Sequence, residues 1–215
     1  MDRGKLTYIL LIGIILISII LAIVAYPKLP AKIASHWNQK GIVDDYMPKA
    51  VGVFLVPFIL IILFLFYLVI PKVDPLKKNI IKFKLQFDNF IVLLFLFMLY
   101  ILVLLILYNL GVIFNFSKFM IPAFAVIVYS AGILIKKSKR NWFIGIKTPW
   151  TLHNDMVWNK THRLASILFK VSGIIIFIGL FLYEYAYSFF FLTIILATIV
   201  PIIYSYVLYY KIENK

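Results

Sequence analysis

FIVLLFLFMLYILVLLILYNL, residues 90–110, runs for 21 positions without a charged side chain. An α-helix needs about 20 apolar residues to cross a hydrocarbon core of ~30 Å, so this stretch reads as a transmembrane helix. Five further windows of at least about 17 residues satisfy the same requirement: Leu6 to Tyr26, Ala50 to Ile70, Phe119 to Ile135, Ile167 to Tyr183 and Phe189 to Tyr209. Lipid offers the backbone no hydrogen-bond partner, so each must be helical. The whole chain agrees, with 64% hydrophobic and 14% charged residues over 215 positions and a mean hydropathy of +1.03. The expected fold is all-α, one polytopic membrane domain over residues 1–215 with six transmembrane helices and no separate globular domain. The first window follows Arg3 and Lys5 as a signal peptide would, but it is too long and lacks a small-x-small cleavage site. It reads as an uncleaved span.

The net charge of +14 invites a nucleic-acid reading, and its distribution argues against one. Of the 22 Lys and Arg, 16 lie in the two tails and the even loops (71–89 and 136–166), and five lie in the odd loops. Lys170, the remaining one, sits just inside the fifth span. By the positive-inside rule both termini and the fourth loop are cytoplasmic, and the first loop (27–49) faces outside. No Asp, Glu, Lys, Arg or His occupies the middle of a span, which counts against an ion-coupled transporter or pump. The absence of Cys removes disulfides, thiolate nucleophiles and sulfur-ligated metals. Pro57 and Pro201 fall inside spans, whereas Pro122 is placed for a helix opening. In the second loop, Leu76, Ile80, Phe83, Phe87 and Phe90 recur at helical spacing among lysines. Either a basic amphipathic helix on anionic headgroups or ordinary cationic flanking accounts for that pattern.

Residues 141–169, NWFIGIKTPWTLHNDMVWNKTHRLASILF, hold three of the four Trp and two of the three His. Gly145 permits a tight turn, Thr148 and Pro149 suit a helix start, and Asn154 or Asp155 can cap the long fifth helix. On that helix Trp158, His162, Ala165 and Phe169 share a face expected to pack inward. Lys160, Arg163 and Lys170 share another, expected to meet headgroups or a partner. With only three Arg in the chain, Arg140 and Arg163 bracketing this loop suggest fixed contacts to a carboxylate or phosphate. Asp155, His162 and His153 prompt the question of an acid–base pair or metal. The spacing matches neither a His-Glu-x-x-His nor a Gly-x-Ser-x-Gly pattern, so no catalytic residue, cofactor or metal is assigned.

In the first loop, Pro30 suits a first helical turn, Leu29, Ile33 and Trp37 recur every four residues, and Gly41 fits a left-handed cap. The expectation is a helix lying flat at the outer interface. His36, Trp37, Asn38, Gly41, Asp44 and Asp45 would then form either an outward recognition surface or an interfacial anchor.

The run Gly145-Ile-Lys-Thr-Pro-Trp-Thr-Leu, then Asn154-Asp155, Val157-Trp158 and Lys160-Thr-His-Arg-Leu-Ala165, resembles the hallmark of SdpI-type membrane immunity proteins. Leu29-Pro30 through His36-Trp37-Asn38, Gly41 and Asp44 resembles the short domain of unknown function often fused ahead of it. Ser166 departs from the family, which usually shows Gly there. The resemblance implies a non-enzymatic protein that protects its cell from a secreted peptide toxin and holds a small transcriptional repressor at the membrane. Its partners would be membrane lipids, the toxin outside and the repressor inside, with no direct nucleic-acid contact. Carried over residue by residue, it points to Lys147, Thr148, Pro149, Trp150, Asn154, Asp155, Trp158, His162 and Arg163 inside the cell. The alternatives are a small-molecule or lipid permease using the proline-containing spans, and a membrane-bound hydrolase built on the His residues.

The orientation is testable. A cysteine replacing Ser35 should react with a membrane-impermeant thiol reagent added to intact cells, and one replacing Asn154 should react only after permeabilisation. The reverse pattern would invert the topology.

Overall fold

The computed structural model describes residues 3–213, apart from the side chains of residues 3, 182–184 and 186. The termini that the charge argument assigns to the cytoplasm, residues 1, 2, 214 and 215, lie outside that range. Six described helices are long and apolar enough to cross a membrane: α1 (Arg3–Ala25), α2 (Lys49–Val73), α4 (Lys84–Asn109), α5 (Phe116–Lys137), α7 (Asp155–Gly179) and α8 (Ala186–Glu213). Between them stand a two-stranded hairpin, β1 (Lys32–Trp37) and β2 (Val43–Pro48), and two short helices, α3 (Lys77–Ile81) and α6 (Pro149–His153). All six expected spans are present. Helices α4 and α7 begin six and twelve residues earlier than the apolar windows, because their first turns are amphipathic and contain Lys84, Asp88, Lys160 and Arg163.

The chain divides into two compact units. One comprises Met1–Tyr67 and Ile91–Ala123, and the other Leu68–Phe90 and Phe124–Lys215. The first unit buries Leu11, Ala22, Val53, Leu60, Phe95 and Leu102. Tyr8 meets Tyr67 edge to face at 5.6 Å. Large apolar residues stay exposed on its helices, Ile9, Ile20 and Phe58 among them. Lipid tails are as apolar as Leu, so such faces carry no cost in a bilayer.

The first loop is not a helix. Residues 32–37 pair antiparallel with 43–48, with Ile33 opposite Met47 and Trp37 opposite Val43. The four-residue spacing of Leu29, Ile33 and Trp37 covers too short a segment to separate helix from strand. The turn chemistry decides the outcome. Asn38 Oδ1 accepts the Lys40 and Ile42 amides at 2.9 and 3.1 Å, and Gly41 takes a left-handed φ of +76°. The expected left-handed Gly41 is therefore present, but it closes a hairpin and not a helix.

Tertiary contacts hold the hairpin down. The Asn109 side chain, at the end of α4, accepts the Ala34 N–H at 2.7 Å and donates to the Ala34 carbonyl at 3.2 Å. Ser117 donates to the Asn38 carbonyl at 3.0 Å, and Asn115 donates to that of Lys40 at 3.1 Å. Trp37 lies flat on Phe116, with ring centroids 3.8 Å apart, and meets Tyr108 edge-on. Asn115 also accepts the Lys118 amide at 3.0 Å, opening α5. Pro122 consequently lies inside α5 and not at its opening, since Asn115 starts the helix earlier than the apolar window implies.

In the second unit the turn after α2 and the start of α4 present Ile80, Phe83 and Phe87 to the interior while Lys77, Lys78 and Lys82 stay exposed. The apolar stripe of the second loop thus packs on protein, and α3 is too short to be a surface-lying amphipathic helix. Lys84 donates to both oxygens of Asp88 at 2.8 and 2.7 Å, which explains how a carboxylate one turn into α4 can be buried. Helix α7 lies along α8, where Ser172 donates to the Thr193 carbonyl at 3.1 Å. Helices α5 and α7 approach until their backbones nearly touch. A Cβ on Gly173 would stand 2.9 Å from the Ala125 carbonyl, and one on Gly132 would stand 3.0 Å from the Ser166 carbonyl. Gly132 supplies the close approach that Ser166 does not.

Asn109→Ala leaves the Ala34 amide and carbonyl without partners and should destabilise the protein by about 1–3 kcal/mol. A lowered midpoint in thermal unfolding of the detergent-solubilised protein would show it, and an unchanged midpoint would mean that the hairpin does not depend on this contact.

Candidate functional site

The second unit gathers the 138–163 segment around one histidine. His162 is 1% exposed, and both of its ring nitrogens are engaged. The Ile146 amide donates to Nε2 at 3.0 Å, so Nε2 carries no proton, and Nδ1 donates to the Trp158 carbonyl at 2.8 Å. This is the neutral tautomer. Trp158 stacks on the imidazole with centroids 3.9 Å apart and planes 15° from parallel, and its Nε1 donates to the Ser138 carbonyl at 3.2 Å. Gly145 makes the arrangement possible. Its φ is +115°, and a Cβ there would clash with His162 Nε2.

The chain reaches this point through turns closed by polar side chains. Asn141 is fully buried; its amide donates to the Lys139 and Ile144 carbonyls at 2.7 and 2.8 Å, and its oxygen accepts the Phe143 and Ile144 amides. Asp74, 1% exposed just past α2, accepts the Leu76 amide at 2.6 Å and the Trp142 amide at 2.9 Å. Asn79 donates to the Arg140 carbonyl at 2.9 Å. The second loop and the 138–148 segment are thereby joined through backbone groups that would otherwise be buried unpaired.

Thr148 caps α6 as expected. It exchanges a capping-box pair with Thr151, Pro149 occupies the first turn, and the Thr148 hydroxyl meets that of Ser205 on α8 at 3.1 Å. Asn154, not Asp155, caps α7, accepting the Met156 and Val157 amides at 2.8 and 3.2 Å. Asp155 stands in the first turn, where its charge suits the helix dipole. Arg140 is held in a fixed geometry, but by backbone carbonyls more than by the expected carboxylate or phosphate: Nη1 donates to the Leu152 and His153 carbonyls at 3.0 and 3.1 Å, and Nε lies 3.0 Å from Asp155 Oδ1. That last contact is an ion pair without hydrogen-bond alignment, and the Asp155 side chain is 69% exposed, so the carbonyl contacts carry more of the local stability.

The motif residues therefore separate into two groups. Thr148, Asn154, Trp158 and His162 are committed to backbone and core. Trp150 is half-buried and meets Tyr206 edge-on at 5.1 Å. Lys147, Pro149, Asp155 and Arg163 are exposed, with the Lys147 ammonium donating to the Phe143 carbonyl at 3.0 Å. The acid–base pair of Asp155 and His162 does not form, since Asp155 faces Arg140 and His162 has no free nitrogen. In the first unit the hairpin motif separates likewise. Trp37, Asn38 and Gly41 build and dock the turn, while His36 and Asp44 stay exposed and hydrogen-bond each other at 2.5 Å. Sequence reasoning missed Asp74, Asn79, Asn109, Asn115, Ser117, Asn141 and Ser205. Asp74 stands immediately before Pro75, a turn signal, but its long-range partner Trp142 leaves no mark at the level of local pattern.

His162→Leu removes the acceptor for the Ile146 amide and the donor to Trp158 and should destabilise the protein by about 2–4 kcal/mol, with His162→Gln, which keeps an acceptor, losing less. Gly145→Ala should be as harmful as His162→Leu, through its φ and its contact with the ring. Thermal unfolding of the three variants orders them; equal midpoints for all three and the unmodified protein would remove His162 from its structural role.

Residues 137–205 match the SdpI/YfhL protein family, and residues 13–61 match a domain of unknown function, DUF1648. The chain is 27% identical over 206 residues to the immunity protein SdpI of Bacillus subtilis (strain 168), covering 94% of this chain and 95% of that protein. No solved structure matches the chain. The first match takes in α6, α7 and the His162 turn, the second takes in the hairpin, and the relative spans nearly the whole length, so this multi-pass protein of the cell membrane is similar to the SdpI/YfhL family through residues 137–205.

Proposed function

We propose that this protein confers immunity to a secreted peptide toxin and relays the presence of that toxin inward by holding a small repressor at the membrane. The similarity to an immunity protein across 94% of the chain carries the reading, because it includes both the hairpin and the His162 segment. The geometry supports a division of labour. On the hairpin, exposed His36, Asp44, Asp45 and Tyr46 offer a small polar and aromatic surface on a rigidly docked turn, suited to a peptide. At the other motif, exposed Lys147 and Lys160 offer cations on a scaffold that His162, Asn141 and Arg140 hold in place, suited to an acidic patch on a soluble partner. The positive-inside orientation puts the first surface outside and the second in the cytoplasm. No bond is broken in this mechanism. Both sites act by binding, and His162 positions the segment without touching a ligand.

Expression in a toxin-sensitive bacterium should raise survival under toxin. His36→Ala with Asp44→Ala should reduce that protection several-fold at equal membrane level, while Lys147→Ala with Lys160→Ala should spare survival and weaken recruitment of the repressor. Survival that stays at the level of the unprotected host, with the protein correctly inserted, would refute the immunity reading.

A further inference from the structure

Helices α5 and α7 enclose an open, mainly apolar groove of about 260 Å³ lined by Ala125, Val126, Tyr129, Ser130, Gly173, Ile174 and Phe177. The glycine contacts run antiparallel, since Gly173 meets Ala125 and Tyr129 whereas Gly132 meets Ser166 and Lys170. The groove thus continues along the pair toward the end of α5 and the start of α7. In that direction Lys170 comes first, its stem seated in the notch that Gly132 leaves, with Cγ 2.9 Å from where a Cβ would stand. Lys170 follows Arg163 at i+7 and precedes Ile174 and Phe177 at i+4 and i+7, so all four lie on one face of α7. On α5, Tyr129, Ile133, Lys136 and Lys137 likewise share a face, with both lysines exposed one turn beyond Gly132.

An unpaired ammonium at the edge of an apolar groove is costly in a bilayer unless it reaches an anion or water. Among the described residues, Lys170, Lys136, Lys137 and Arg163 have no carboxylate partner. Cations at one end of a groove and mainly apolar walls at the other match the two ends of an anionic phospholipid. We propose that α5 and α7 bind one anionic phospholipid preferentially, its phosphate among Lys170, Lys136, Lys137 and Arg163 and an acyl chain against Gly173, Ile174 and Phe177. Free phosphate lacks the chain that the groove receives, and a zwitterionic lipid neutralises its own phosphate. The site stands on the groove and its cations alone, so its failure leaves the immunity reading intact, and failure of that reading leaves the site intact.

The full-length protein in neutral detergent, titrated with phosphatidylglycerol or phosphatidylcholine of identical chains, can be weighed with its bound lipid by native mass spectrometry. Phosphatidylglycerol should bind roughly tenfold better, and Lys170→Gln should reduce that preference by about fivefold. Lys136→Gln with Lys137→Gln, at exposed positions where folding is not at risk, should do the same. Val126→Trp, which fills the groove from its open side, should weaken both lipids with the charges intact, and glycerol 3-phosphate should displace neither. Equal binding of the two lipids, a preference unchanged in the double variant, or displacement by glycerol 3-phosphate would overturn the proposal.

Discussion

The imidazole of His162, bonded at both nitrogens inside the protein, is the contact on which the 138–163 segment depends. It ties the amide of Ile146 to the first turns of α7, and it admits no side chain at Gly145. Trp158 fills the space beside it and reaches back to Ser138, so the loop enters and leaves the same cluster. A histidine used this way is neutral and saturated, which explains how it can be buried without a charged partner. Such a group is a structural fastener with the appearance of a catalytic one.

Both motifs follow a common plan. Aromatic and small polar residues secure the backbone, and a few charged residues remain at the surface. Trp37, Asn38 and Gly41 do the first task on the hairpin, as Trp158, Thr148 and Asn154 do on the 138–163 segment; His36 and Asp44, or Lys147 and Arg163, stay exposed. Each motif of this chain therefore mixes residues that hold the backbone with residues that stay exposed, and substitutions at the two kinds have different consequences. Loss of a fastener costs stability everywhere. Loss of an exposed charge leaves those backbone contacts in place.

The six spans, the inward Trp158 and His162 face, the Thr148 cap and the special role of Arg140 were legible in the chain, because each follows from hydrophobic length, helical periodicity or local capping chemistry. The hairpin was not legible. Leu29, Ile33 and Trp37 repeat like a helix, yet Asn109, Asn115 and Ser117, more than 70 residues away, satisfy the backbone of an extended turn. Asp74 and Asn141 were equally silent, since burial of a carboxylate or amide depends on amides that distant segments bring to it.

By itself, then, the sequence determined that this chain crosses a membrane six times as helices, which loops its cations crowd into, and where its unusual residues cluster. Those properties depend on transfer between water and lipid and on neighbours within a few residues. Only the tertiary structure decided that the first loop is a docked hairpin, that His162 is fully committed to backbone groups, and that α5 and α7 leave a groove ending at Lys170. Each of these needs a hydrogen-bond partner or a missing Cβ from a segment far along the chain, and no local pattern records where such a segment will arrive.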